Sequence, residues 1–280
     1  MGHASLIIGT IFSQLAIGTF ITGYVIHRWL NRAEEKKAFT TTLVSFVAGC
    51  IGLVAIITHL GVPLHAFNAF LNIGSSWLSR ETLFSAIFML LLFVYLLIQK
   101  GIIAKESKGA LKGLGAVIAV CGLILAFVTA MIYMVPGVPA WNTAATPISF
   151  MLSAFLMGIP LGVYLSGYDE AKMPALLTGL IALCALFIAV VNVTSLQAGS
   201  TAQSASGYLM SGSGMFVFRL ILLAAAVLCG LYFGLKGTKQ NSGDTEVKTQ
   251  GTTIFLLLFA VLAVAEFLGR YLFFGTIVRM

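Results

Sequence analysis

Five ionisable side chains stand inside, or at the ends of, long apolar segments of this chain: His59, Glu81, Arg219, Glu266 and Arg270. Charge at membrane depth is expensive, so each is a candidate for function or for pairing. His59 closes one apolar segment and Glu81 opens the next, so both flank a single loop. A histidine and a carboxylate so placed can accept protons from a bound hydroxyl group. The plainer alternative is local: a histidine by the last carbonyls of a helix and a carboxylate over the first amides both complement the helix dipole. Glu266 and Arg270 lie four apart, on one helix face, and most simply neutralise each other. Arg219 has no partner in its own segment; it either snorkels to the surface or reaches Glu266. Gln14 and Asn192 add polar groups at similar depth.

The elements that carry these residues follow from composition. The chain has 280 residues, 59% hydrophobic and only 9% charged, with a mean hydropathy of +1.03. A water-soluble domain of this length cannot cover its surface with so few charges. The apolar runs are about 20 residues long, enough to cross the hydrocarbon core as helices, and they are continuous rather than alternating, which argues against a barrel. The expected fold is all-α, a polytopic membrane protein of eight transmembrane helices near 5–27, 39–60, 81–99, 113–134, 147–166, 174–195, 214–235 and 252–275. It reads as one integral-membrane domain, 1–280; a four-plus-four arrangement, 1–134 and 147–280, is one way to divide it.

Charge sets the orientation. The connections after the odd-numbered spans carry Arg28, Arg32, Lys36, Lys37, Lys100, Lys105, Lys108, Lys112, Lys172, Lys236, Lys239 and Lys248, whereas the other side has Arg80 and Arg279. Basic loops stay in the cytoplasm, so both termini are expected on the periplasmic side. The net charge of +7 is therefore a topology signal that also meets anionic lipid, not a nucleic-acid footprint.

Between spans two and three, Leu64, Phe67, Phe70 and Leu71 fall at helical spacing with His65, Asn68 and Asn72 on another face, which predicts a short interfacial helix within 61–80. Trp77 and Trp141 suit the outer aromatic belt and Trp29 the inner one. The 196–213 connection is rich in Ser, Gly and Ala and reads as mobile. Pro160 should kink the fifth span. The N-terminus lacks the basic region of a secretory signal, so the first apolar segment is expected to be retained. Cys50, Cys121, Cys184 and Cys229 form no C-x-x-C pair and read as packing residues. His27 and His59 lie at opposite ends of their spans, and His3 and His65 lie outside them, so no haem, iron–sulfur cluster or metal is expected in this chain.

One-sided polarity narrows the function. A secondary transporter would place polar groups near the midplane, and a channel would line its whole length with them. A site for a hydrophobic quinol needs an apolar slot open to lipid and proton acceptors at one surface, and this pattern fits. The electrons would pass to another subunit on the outer face.

The segments His-Leu-Gly-Val-Pro-Leu-His-Ala-Phe-Asn (59–68), Leu-Ser-Arg-Glu (78–81), Val-Pro-Ala-Trp (138–141), Thr-Pro-Ile-Ser-Phe (146–150), Gly-Ile-Pro-Leu-Gly (158–162), Phe-Arg (218–219) and Glu-Phe-Leu-Gly-Arg-Tyr-Leu-Phe-Phe-Gly (266–275) resemble the membrane-anchor subunit of bacterial dimethyl sulfoxide reductases. The resemblance implies a haem-free anchor in the bacterial inner membrane that oxidises menaquinol in anaerobic respiration. It would carry no terminal reduction site of its own, and would tether an iron–sulfur subunit and a molybdopterin catalytic subunit on the periplasmic side. It ties His59 and Glu81 to menaquinol, with Gln14, Arg219, Glu266 and Arg270 as a supporting polar shell. His65 stands where that family has a basic residue, so docking detail is expected to differ. A polysulfide or tetrathionate type of reductase anchor, a secondary transporter and a purely structural tether are the competing readings.

Overall fold

An apolar run in lipid has no water to satisfy its backbone, and a helix satisfies every interior N–H and C=O within the run. The computed structural model describes residues 3–32, 34–59, 68, 70–103, 108–168, 170, 172–236, 245–276 and 278. Its helices are α1 (Ala4–Tyr24), α2 (Glu35–His59), α3 (Trp77–Gln99), α4 (Lys108–Tyr133), α5 (Ala145–Ser166), α6 (Lys172–Gln197), α7 (Thr201–Ser211), α8 (Gly214–Lys236) and α9 (Thr245–Gly275). All but α7 are long and apolar enough to cross a membrane, which makes eight candidate spans. Among the described residues there is no strand. The His3 ring stacks on Phe274 at 6.1 Å, so the start of α1 and the end of α9 meet at one face, called here the terminal face.

The bundle is organised around α1 and α5. Gly18 and Gly158 let these two helices touch backbone to backbone: a Cβ on Gly18 would fall 1.8 Å from the Ala154 carbonyl oxygen, and one on Gly158 2.2 Å from the Gly18 carbonyl carbon. Small residues at a crossing are how membrane helices gain close packing without a hydrophobic drive. One apolar core joins α1, α3 and α4 with Phe150, Met157 and Leu161 of α5. A second joins the other side of α5 to α6, α8 and α9 through Leu156, Ala182, Leu223 and Leu262. Large apolar side chains such as Val54, Leu90, Phe187 and Leu228 remain exposed on the outside of the bundle, as a lipid-facing surface requires.

At the face opposite the termini, α1 ends in a wider turn over Val25–Trp29. There Arg28 grips Glu35 with two hydrogen bonds of 3.0 and 3.1 Å and reaches the Tyr95 hydroxyl at 3.4 Å. These bonds fix the passage into α2. Lys112 lies over the Trp29 ring at 3.7 Å on the same face.

Two local expectations change, and a third lies largely outside the described residues. The 196–213 connection contains a helix, α7, because the Gln203 side-chain oxygen accepts from the Ser200 backbone N–H at 2.9 Å and caps it. Of the interfacial helix expected within 61–80, residues 61–67 and 69 lie outside the described residues. In the remainder, Asn68 and Phe70 have 3-10 helical geometry, 71–75 form turns and α3 has begun at Trp77. Trp141 turns inward, its indole N–H donating to the Phe273 carbonyl at 2.8 Å; its N–H thus finds a partner inside the bundle.

Candidate functional site

Ser76 starts α3, accepting from the Ser79 N–H at 3.4 Å, and this places Glu81 just inside the helix on its buried side. Glu81 is 8% exposed. Its Oε1 accepts a hydrogen bond of 2.9 Å from the Thr129 hydroxyl of α4. A buried carboxylate with a hydroxyl donor is held in one orientation yet keeps acceptor capacity for a ligand. One turn deeper begins a narrow, almost wholly apolar slot of about 10 Å³ among α1, α2, α3 and α4, walled by Ser13, Gly49, Leu53, Ile56, Ser85 and Met89. Met89 lies against Gly49, so close that a Cβ there would come within 2.4 Å of its sulfur. His59 is the last residue of α2; its side chain lies outside the described residues.

The remaining candidates form a second group. Glu266 of α9 meets Arg219 of α8 at 3.4 Å through Oε1 and accepts from the Ser153 hydroxyl of α5 through Oε2. Arg270 donates to Gln14 of α1 at 2.8 Å and to Ser153 at 3.3 Å. Gln14, Glu266 and Arg270 are all buried. The i, i+4 pairing expected of Glu266 and Arg270 is thus replaced: Glu266 finds its cation on the neighbouring helix, and Arg270 turns to α1 and α5. Gly269 makes room for this, since a Cβ there would stand 2.6 Å from the Arg219 guanidinium carbon.

An aromatic wall separates the two groups. Tyr133, one turn after Thr129 in α4, packs its ring 5.4 Å from Phe150, and the guanidinium of Arg270 lies 3.4 Å over that same Phe150 ring. Trp141, Phe273 and Phe274 complete the wall around Tyr133. The candidates therefore stand in two groups at the terminal face. Arg219, Glu266, Arg270 and Gln14 come together; Glu81 stands across the wall from them.

Sequence similarity decides the family. The family described as DMSO reductase anchor subunit (DmsC) matches residues 1–276. The chain belongs to that family. It is similar to an anaerobic dimethyl sulfoxide reductase chain of Haemophilus influenzae, 29% identical over 96% of this sequence and 93% of that relative. The corresponding Escherichia coli protein is 28% identical with the same coverage. A sulfite dehydrogenase subunit of Allochromatium vinosum is 31% identical over a shorter stretch, 53% of this sequence and 49% of that relative. The protein is accordingly a multi-pass membrane anchor of a reductase complex, which implies catalytic and electron-transfer partners.

Three contributors to the anchor's polar groups escape sequence reading. Thr129 and Ser153 look like ordinary helix residues, and Ser153 also bonds back to the Ser149 carbonyl at 2.8 Å, the usual habit of serine in a helix. Phe150 looks like one more apolar core residue until Arg270 is seen above it. The only signal available was position: all three lie within the layer that holds Glu81 and Glu266.

Proposed function

We propose that this anchor oxidises menaquinol beside Glu81 and His59 and passes the electrons to an iron–sulfur subunit, which serves a molybdopterin catalytic subunit on the periplasmic side of the bacterial inner membrane. The observation that carries the reading is Glu81 itself, a buried carboxylate oriented by Thr129, one helical turn from Ser85 in the wall of a narrow apolar slot between helices. Family membership and the one-sided distribution of basic loops support it.

The quinol releases two electrons and two protons as it becomes quinone. Glu81 accepts a hydrogen bond and then a proton from one ring hydroxyl; His59 is the second acceptor, and outer water takes both protons onward. The slot is narrow, so the ring enters by moving Met89, whose unbranched thioether side chain adapts at low cost. The electrons leave for the docked iron–sulfur subunit. Gln14, Arg219, Glu266 and Arg270 hold α1, α5, α8 and α9 together behind the aromatic wall and so support the site without touching the ring.

Glu81→Gln and His59→Ala test the reading in assembled complexes. Each should slow quinol oxidation by about 10²-fold while leaving reduction of the catalytic subunit's acceptor by an artificial electron donor unchanged. Normal quinol turnover in both would remove the assignment.

A further inference from the structure

Beneath α7, the Arg219–Glu266–Arg270 group opens on a cleft of about 50 Å³. Ser149, Asn192, Arg219, Glu266 and Arg270 supply its polar wall, and Met210 of α7 contributes to its cover. Three contacts pin α7 there. Gln203 donates to the Pro139 carbonyl at 3.3 Å, Gln197 donates to Ser211 at 2.9 Å, and the Val278 N–H donates to Ser206 at 3.2 Å. A space of this size holds a few waters or one small ion.

The chemistry of the wall is one-sided. Its acceptors are already engaged: Glu266 by Arg219 and Ser153, and the Asn192 oxygen by Thr143 at 3.3 Å. Its donors are in excess. The guanidiniums of Arg219 and Arg270 both line the cleft, and Glu266 is its one carboxylate. Arg270 is only 4% exposed, so water outside the bundle does not satisfy it. Two guanidiniums face one carboxylate here, and the next buried carboxylate, Glu81, stands beyond Tyr133. An excess of buried cationic groups over carboxylates in a dry setting favours an acceptor-only partner.

We infer that this cleft is a binding site for a small inorganic anion, held by Arg219 and Arg270 with Asn192 at its mouth. The ion balances the buried guanidinium in excess and fills the space under α7. A cation is repelled by the same groups. The inference is independent of the quinol site, from which the aromatic wall separates it.

The test is thermal unfolding of the intact protein, purified in a zwitterionic detergent, as sodium bromide or chloride replaces sodium gluconate at constant ionic strength. A saturable rise in Tm is expected. Asn192→Leu, which removes the mouth amide, and Ser149→Leu, which fills the wall, should each weaken half-saturation by at least about tenfold. Neither should change quinol oxidation in the assembled complex. A rise without saturation, half-saturation in both variants unchanged from that of the unaltered protein, or stabilisation only on adding an anionic phospholipid would each overturn the inference.

Discussion

The guanidinium of Arg270 lies 3.4 Å over the ring of Phe150, and the Tyr133 ring packs 5.4 Å from that ring. Arg270 therefore closes one side of an aromatic wall whose far side faces Glu81 through Thr129 and Tyr133. The wall lets two polar groups share one depth in the bundle without neutralising each other. It also explains why Arg270 leaves Glu266 to Arg219: the plane that stacks on Phe150 directs one nitrogen toward Gln14 and Ser153.

Arg270→Lys keeps the charge but loses both the planar stack and the fork. It should destabilise the protein by about 2 kcal/mol, the scale of a desolvated cation–π contact. Phe150→Leu should cost a similar amount, and the double variant less than the sum. Equilibrium unfolding in detergent measures all three; strict additivity would remove Phe150 as the partner of Arg270.

Removing one member of the Arg219–Glu266 pair leaves a buried charge unmatched. Arg219→Gln or Glu266→Gln alone should cost about 3–5 kcal/mol. The double variant should recover part of that loss, with a coupling of about 0.5–3 kcal/mol. A cycle without coupling would mean that water, not Arg219, satisfies Glu266.

Helix α7 depends on Gln203, which caps it and ties it to Pro139. Gln203→Ala should weaken it by about 1 kcal/mol. Amide exchange in 201–211 should then speed up while α6 and α8 keep their protection. Unchanged exchange would assign the stability of α7 to its packing alone.

Much of this fold is legible in the sequence because each span is a continuous apolar run, and lipid permits such a run little besides a helix. The eight spans end within a few residues of the expected bounds. Depth is equally legible, since position along a span gives distance from its end. Azimuth is not. Apolar residues surround most of these helices on every side, so periodicity does not say which face meets which neighbour. This is why Glu266 and Arg270 read as mutual partners. Composition misleads once more at 196–213, where Ser, Gly and Ala suggest a mobile connection but one cap and three tertiary contacts make a helix.

The crossing of α1 and α5 positions Gln14, Phe150 and Ser153, the partners of Arg270, since all three lie on these two helices. Gly158→Leu sets a side chain against the Gly18 backbone, with no flexible group to yield. The expected loss exceeds about 4 kcal/mol, seen as failure of the protein to accumulate in membranes. Cys121→Ala, on the other side of the core, should accumulate normally and serves as the control.

Thr129 separates a chemical role for Glu81 from a structural one. Thr129→Val keeps the shape but leaves the Glu81 carboxylate without its hydroxyl donor, a loss of about 1–3 kcal/mol for a buried acceptor. If Glu81 only fills space, quinol oxidation should follow the amount of folded protein and nothing more. If it receives the quinol hydroxyl, the orientation set by Thr129 matters beyond stability. Turnover per assembled complex should then fall by about tenfold, and Thr129→Ser, which restores the hydroxyl, should recover it. Equal turnover per complex in the valine and serine variants would show that Thr129 does not position Glu81 for the reaction.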